Sequence, residues 1–124
     1  MVAVFVYGTL MPGGPLWPAL RPYAMSEAPA TAAGRLWDTG LGYPAARFEV
    51  VEGGPGAGVV PGVLVAIASD RAPQALAMLD EIEEEGVLYR RVELATSRGP
   101  AVAYEWLGPT AGLVELADGW PRTG

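Results

Sequence analysis

At 124 residues the chain suits one domain, residues 1–124, with no room for a second core, and its net charge of −6 argues against a nucleic-acid partner, whose phosphates attract clustered Lys and Arg. Half of it is apolar, 51%, so it can bury a real interior. It contains no Cys, no His and no Lys, which excludes a disulfide framework, a Cys nucleophile, a Ser-His-Asp triad, a Lys Schiff base and a usual zinc site.

Val2 to Tyr7 reads as a strand, β-branched and aromatic and apolar enough to be buried on both faces; Gly8 ends it. The apolar start has no basic segment before it and stops at a glycine, so it does not read as a signal peptide. The longest later apolar stretch, Val63 to Ala68, falls far short of the roughly 20 residues a bilayer needs, and the expected compartment is the cytoplasm, with no membrane partner. Met11 to Pro15 is a rigid turn, and Leu16 to Leu20 offers one helical turn. Thr31 to Trp37 and Ala45 to Val51 look like short strands around the loop Asp38 to Pro44, followed by a hairpin-type turn at Gly53 to Gly58. Val59 to Ala68 is the next strand, where Pro61 and Gly62 predict an edge or a bulge.

Asp70 then reads as an N-cap, Arg71 to about Glu84 as a helix tolerating Pro73 in its first turn, and Gly86 as its stop. Leu88 to Thr96 and Ala101 to Leu107 form a strand pair across a turn at Ser97 to Pro100. The only adjacent basic pair, Arg90-Arg91, would point to opposite faces of that first strand. Many short strands with one good helix predict an α+β fold with the sheet curled into a barrel.

With His, Cys and Lys absent, acid/base chemistry near neutral pH must come from a carboxylate of raised pKa, a Tyr, or a substrate. At about 100° per residue, Leu76, Leu79 and Ile82 form one stripe of the helix with Ala72 and Ala75 beside it. Glu81, Glu84 and Glu85 fall roughly opposite. Glu83 falls at the margin of the apolar stripe, where lost hydration would raise its pKa. The alternative is that the helix frays before Glu83 and the Glu-rich end is a solvated cap. The turn Tyr7-Gly8-Thr9-Leu10 can present successive N–H groups suited to a carboxylate or an oxyanion, and Thr9 adds a hydroxyl; the alternative is an ordinary connection.

Together these pieces resemble the gamma-glutamylcyclotransferase family, most closely its gamma-glutamylamine cyclotransferase and AIG2-like branch. The matching segments are Phe5 to Leu10, Gly34 to Asp38, Gly42-Tyr43-Pro44, Val63 to Ile67, Leu79 to Glu83, Leu88 to Val92, Ala103 to Trp106 and Gly119-Trp120, in order along almost the whole chain. The resemblance implies a small mixed β-barrel with flanking helices. It carries the catalytic glutamate onto Glu83, three residues after Asp80, and the substrate-holding loop onto Tyr7, Gly8, Thr9 and Leu10. The spacing from Asp80 and the helical face both choose Glu83 over Glu85.

It also implies conversion of a small γ-glutamyl compound into 5-oxoproline and a free amine, with no cofactor and no metal. The substrate's own α-amine attacks its γ-carbonyl, so proximity is supplied within one molecule and one carboxylate can move both protons. Tyr43, Tyr89 and Tyr104 can be pocket walls or core tyrosines with satisfied hydroxyls. Two other readings stay open at this point: a non-catalytic module binding a small carboxylate, and a different amide-cleaving enzyme on the same site.

Overall fold

The computed structural model describes residues 1–48, 58–116 and 118–120. In chain order the elements are β1 (Val2–Val6), α1 (Trp17–Leu20) running into a short 3-10 turn (Arg21–Tyr23), β2 (Ala24–Asp38), β3 (Pro44–Phe48), β4 (Val59–Ile67), α2 (Ala72–Ile82), β5 (Tyr89–Thr96), β6 (Gly99–Trp106) and β7 (Val114–Glu115). The strands form one sheet in the order β3-β2-β4-β1-β6-β5, with β7 beside β2. All pairings are antiparallel except β1 with β6, which meets in parallel at Val4 and Val102. Two contacts draw the sheet's ends together: Thr31 of β2 exchanges hydrogen bonds with Ser97 in the β5–β6 turn, and the Phe48 N–H of β3 donates to Glu105 of β6. The result is a nearly closed mixed β-barrel with two short helices, as the residues imply. No helix among the described residues is long and apolar enough to cross a membrane.

β1 lies at the centre and, as its composition predicts, is buried on both faces. Phe5 and Tyr7 face the barrel interior, which is lined by small side chains such as Ala30, Ala32, Ala46, Ala101 and Ala103. The space left by these alanines is filled by rings: Phe48 meets Phe5 at 6.1 Å and Tyr7 at 5.7 Å, both edge to face. Val4 and Val6 face the other way, against Ala72, Ala75 and Leu79 of α2. The α2 stripe is therefore held by a sheet face. Full burial of Leu79 contributes about 2 kcal/mol to that docking.

β2 is twice as long as its pattern suggests, because the segment from Ala24 to Ala30 also pairs with β4 despite Ser26, Glu27 and Pro29. It changes partner at Gly34, after which it pairs with β3. A Cβ at Gly34 would lie 2.3 Å from the Arg47 carbonyl oxygen, so this corner needs glycine. β4 is not an edge strand; it lies between β2 and β1. Pro61 is tolerated because the β1 ladder ends at Val6 opposite Val63, leaving Pro61 beyond it with β2 as its neighbour. The expected strand residues Glu49 to Val51 and most of the turn at Gly53 to Gly58 lie outside the described residues.

α2 starts and stops inside its expected bounds. Asp70 is not its cap: Arg71 occupies that position without a side-chain cap bond, and the Ala68 carbonyl takes the Arg71 and Ala72 N–H groups instead. At the other end, Glu84 rather than Gly86 takes the position just past the cap, with φ of 49°, and Gly86 is left-handed as well at 87°. The Glu85 N–H donates to the Asp80 carbonyl at 2.9 Å and the Glu84 N–H to the Glu81 carbonyl at 3.3 Å. This is a Schellman closure with glutamate at the left-handed position.

Candidate active site

The end of α2 and the turn after β1 meet at a cavity of about 310 Å³, at the small end of the range for ligand sites. Tyr7, Gly8, Thr9, Leu10 and Glu83 all line it. Residues 7 to 10 come from the exit of the central strand, and Glu83 is the last residue before the chain leaves the helix. Its backbone is pinned there, since its N–H donates to the Leu79 carbonyl at 2.8 Å and the closure described above follows at once. Glu83 is half-buried, whereas Glu81, Glu84 and Glu85 are exposed. The helix ends two residues early, yet the face assigned to Glu83 is the one it occupies.

Burial pushes the Glu83 carboxyl up to about 7 from an ordinary value of 4.5. The tyrosines around it are held in their neutral form. Burial raises Tyr7 and Tyr89 well above the usual phenol range, and the Glu83 charge adds to both. Burial raises Tyr104 as well, followed by its hydrogen bond to Asp80. Each of these hydroxyls also has a fixed acceptor: Tyr7 donates to the Tyr104 carbonyl, Tyr89 to the Pro44 carbonyl at 2.6 Å, and Tyr104 to the Asp80 carboxylate at 2.6 Å. With those protons committed, Glu83 is the cavity group suited to exchanging a proton near neutral pH.

Tyr43, Tyr89 and Tyr104 line the cavity too, and Tyr89 and Tyr104 are at once walls and hydrogen-bonded core residues. Tyr89 stacks edge to face on Trp106 at 5.3 Å. The turn at residues 8–10 is held by its carbonyls, Gly8 accepting from Met11 at 3.0 Å and Thr9 from Leu16 at 2.9 Å. Among the described residues the N–H groups of Gly8, Thr9 and Leu10 donate to no protein acceptor. Gly8 has a structural reason of its own: a Cβ there would lie 2.7 Å from the Pro44 ring, so its missing side chain makes room for β3.

A network that the sequence reading does not include ties the two halves of the site together. Asp80 lies one turn before Glu83. Its carboxylate accepts from Tyr104 on β6 and pairs with Arg91 on β5 at 2.9 Å, and the Tyr104 carbonyl in turn accepts from Tyr7. Arg90, the other half of the basic pair, points away to Glu105, its direct cross-strand partner, at 2.9 Å. The spacing between Asp80 and Glu83 was the one sequence signal for this network; its strand partners lie too far along the chain to be seen.

A mixed barrel carrying a half-buried glutamate beside a strand-exit turn is the class of protein that the fold and cavity define. The sequence matches the family "Gamma-glutamyl cyclotransferase, AIG2-like" over residues 4–122, and the chain belongs to that family. No curated protein matches it in sequence. Among solved structures it is similar to an uncharacterized protein of Pyrococcus horikoshii, with 25% identity, a TM-score of 0.68, and coverage of 94% of this chain and 86% of that one. It is also similar to the protein ytfP of Escherichia coli, with 24% identity, a TM-score of 0.61, and coverage of 94% and 92%. An AIG2-like protein of Mus musculus shares the fold at 16% identity and a TM-score of 0.65, with coverage of 100% and 90%.

Proposed function

We propose that this protein is a cyclotransferase that converts a γ-glutamyl amine or γ-glutamyl amino acid into 5-oxoproline and the free amine, with Glu83 as its acid/base. The observation that carries the reading is the half-buried Glu83 carboxyl, pushed up by burial to about 7, in one cavity with residues 8–10, whose N–H groups donate to no protein acceptor among the described residues. Ionised Glu83 takes a proton from the substrate's α-ammonium. The freed nitrogen attacks the γ-carbonyl carbon and closes a five-membered ring, leaving a tetrahedral oxyanion. The carbonyl re-forms, the bond to the departing nitrogen breaks, Glu83 returns its proton to that nitrogen, and the ring nitrogen releases its second proton to solvent to leave the neutral lactam. The reaction needs no enzyme nucleophile, because both reacting atoms belong to one substrate held in a folded conformer.

The N–H groups of Gly8, Thr9 and Leu10 hold the α-carboxylate or the developing oxyanion. Family membership supports the reading, since the family as a whole is gamma-glutamyl cyclotransferase-like. The test is a panel of γ-glutamyl amines and γ-glutamyl amino acids, with 5-oxoproline measured by mass spectrometry. At least one member should yield 5-oxoproline and free amine in equal amounts. Binding without turnover across the panel would instead indicate a carboxylate-binding module, and amine release with free glutamate would indicate a hydrolase.

A further inference from the structure

The apolar stripe of α2 presses on Val4 and Val6, and such a contact has no direction. It holds the helix to the sheet without fixing how far the helix slides or turns. Among the described residues, Asp80 is the one side chain of α2 that hydrogen-bonds to the sheet. Its two oxygens are taken separately, Oδ1 by the Tyr104 hydroxyl at 2.6 Å and Oδ2 by Arg91 Nη1 at 2.9 Å. Tyr104 of β6 and Arg91 of β5 are direct cross-strand partners, so their side chains leave the same face and meet one carboxylate from two strands. Two directional, charge-assisted bonds set both the slide and the turn of the helix end.

Glu83 stands three residues on, about 4.5 Å along the helix axis, and is carried by that same turn. The Asp80 carbonyl also accepts the Glu85 N–H at 2.9 Å, so the chain closes on Asp80 just after Glu83. On the other side of the site, the Tyr104 carbonyl accepts from Tyr7, the first residue of the turn over residues 7–10. Tyr104 thus holds the helix end through its side chain and the turn through its backbone. The route from Glu83 to the donors of the turn passes through these two hydrogen bonds.

We infer that Asp80 is a positioning residue for the cyclisation, setting through Tyr104 the distance between Glu83 and the turn at residues 7–10; this rests on the cyclotransferase reading of the site. Asp80 is not part of the cavity lining, so it acts through Glu83 and not on the substrate. Proton transfer needs the Glu83 carboxyl within hydrogen-bond reach of first one nitrogen and then the other, whereas binding rests on the turn. Loss of Asp80 therefore lowers the rate and spares affinity.

The test compares the parent, Asp80→Ala, Asp80→Asn, Tyr104→Phe and the double variant Asp80→Ala with Tyr104→Phe. The substrate is the member of the γ-glutamyl panel that the parent turns over fastest, and urea unfolding gives the folded fraction under assay conditions. In Asp80→Ala, kcat per folded molecule should fall about 10–100-fold, the scale of an ångström-sized misplacement, with KM within about threefold of the parent. Tyr104→Phe keeps the ring in the cavity wall, removes its bond to Asp80, and should lose about tenfold in kcat. Adding it to Asp80→Ala should cost nothing further, because both act through one bond. Asp80→Asn keeps an acceptor for the Tyr104 hydroxyl and should recover most of the loss. Parent kcat per folded Asp80→Ala molecule, a loss confined to KM, or additive losses in the double variant would overturn the inference and leave the cyclotransferase reading standing. If Asp80→Ala does not fold, parent kcat in Tyr104→Phe overturns it alone. A parent that yields no 5-oxoproline from any panel member takes the reading of the site and the inference down together.

Discussion

Replacing Glu83 by Gln should stabilise the protein, and by more as the pH rises. In the unfolded chain the carboxyl loses its proton near 4.5, while in the folded protein burial holds the proton until about 7. Between those values the folded state binds a proton that the unfolded state has released, so the parent's stability falls as pH rises through that window and levels off above 7. The slope is about 1.4 kcal/mol per pH unit, which gives a ceiling of about 3 kcal/mol at pH 8. Gln does not titrate and escapes this loss. Because Glu83 is half-buried rather than sealed, the working expectation is about 2–3 kcal/mol. The assay is urea unfolding of parent and Glu83→Gln at pH 4 and pH 8. Comparing the two differences cancels any fixed offset from the amide and every carboxylate common to both proteins. A difference that stays constant between the two pH values, or a parent that is the more stable at pH 8, would refute a desolvated carboxyl at this position.

The same group sets the rate profile: kcat/KM should rise with pH through about 7 as Glu83 ionises, and a limb in the ordinary carboxylate range would move the base elsewhere. Glu84→Gly should raise stability by about 0.5 kcal/mol, read as a rise of about 2 °C in Tm, because the left-handed backbone at 49° costs a side-chain-bearing residue more than the glycine's added unfolded-state entropy returns; a lower Tm would contradict this. Tyr104→Phe leaves Asp80 with Arg91 alone and should cost about 1.5–2 kcal/mol in urea unfolding at pH 8, the worth of a hydrogen bond to a charged acceptor. A cost near zero would mean that water replaces the hydroxyl.

The parts legible in the sequence are those with short-range causes. Val2 to Val6 could be read because β-branched and aromatic residues in a nearly unbroken run fit a strand covered on both sides. The position of Glu83 could be read because helical periodicity places it at the margin of a stripe headed by Leu79. The parts that were not legible have long-range causes. The half of β2 from Ala24 to Ala30 carries poor strand residues and is held by pairing with β4. Pro61 signals an edge, yet it sits in an interior strand whose far neighbour has ended. Asp70 has the right chemistry for a cap, but the Ala68 carbonyl had already taken the donors. The cavity lining combines Leu16, Tyr43, Glu84 and Leu88 with the turn after β1, from separate segments of the chain, so no local pattern announces it.

The central claim is that Glu83 shuttles the proton in a cyclisation, and turnover by three variants tests it most directly. Glu83→Gln, Glu84→Gln and Glu85→Gln each remove one negative charge from the same stretch of chain, so they separate the shuttle from a general loss of charge. With a γ-glutamyl amine as substrate and 5-oxoproline as the measured product, Glu83→Gln should lose on the order of 10²–10⁴-fold in kcat with a much smaller change in KM. Glu85→Gln should stay near the parent rate, and Glu84→Gln should fall far less than Glu83→Gln. Production of 5-oxoproline by Glu83→Gln at the parent rate would contradict the account.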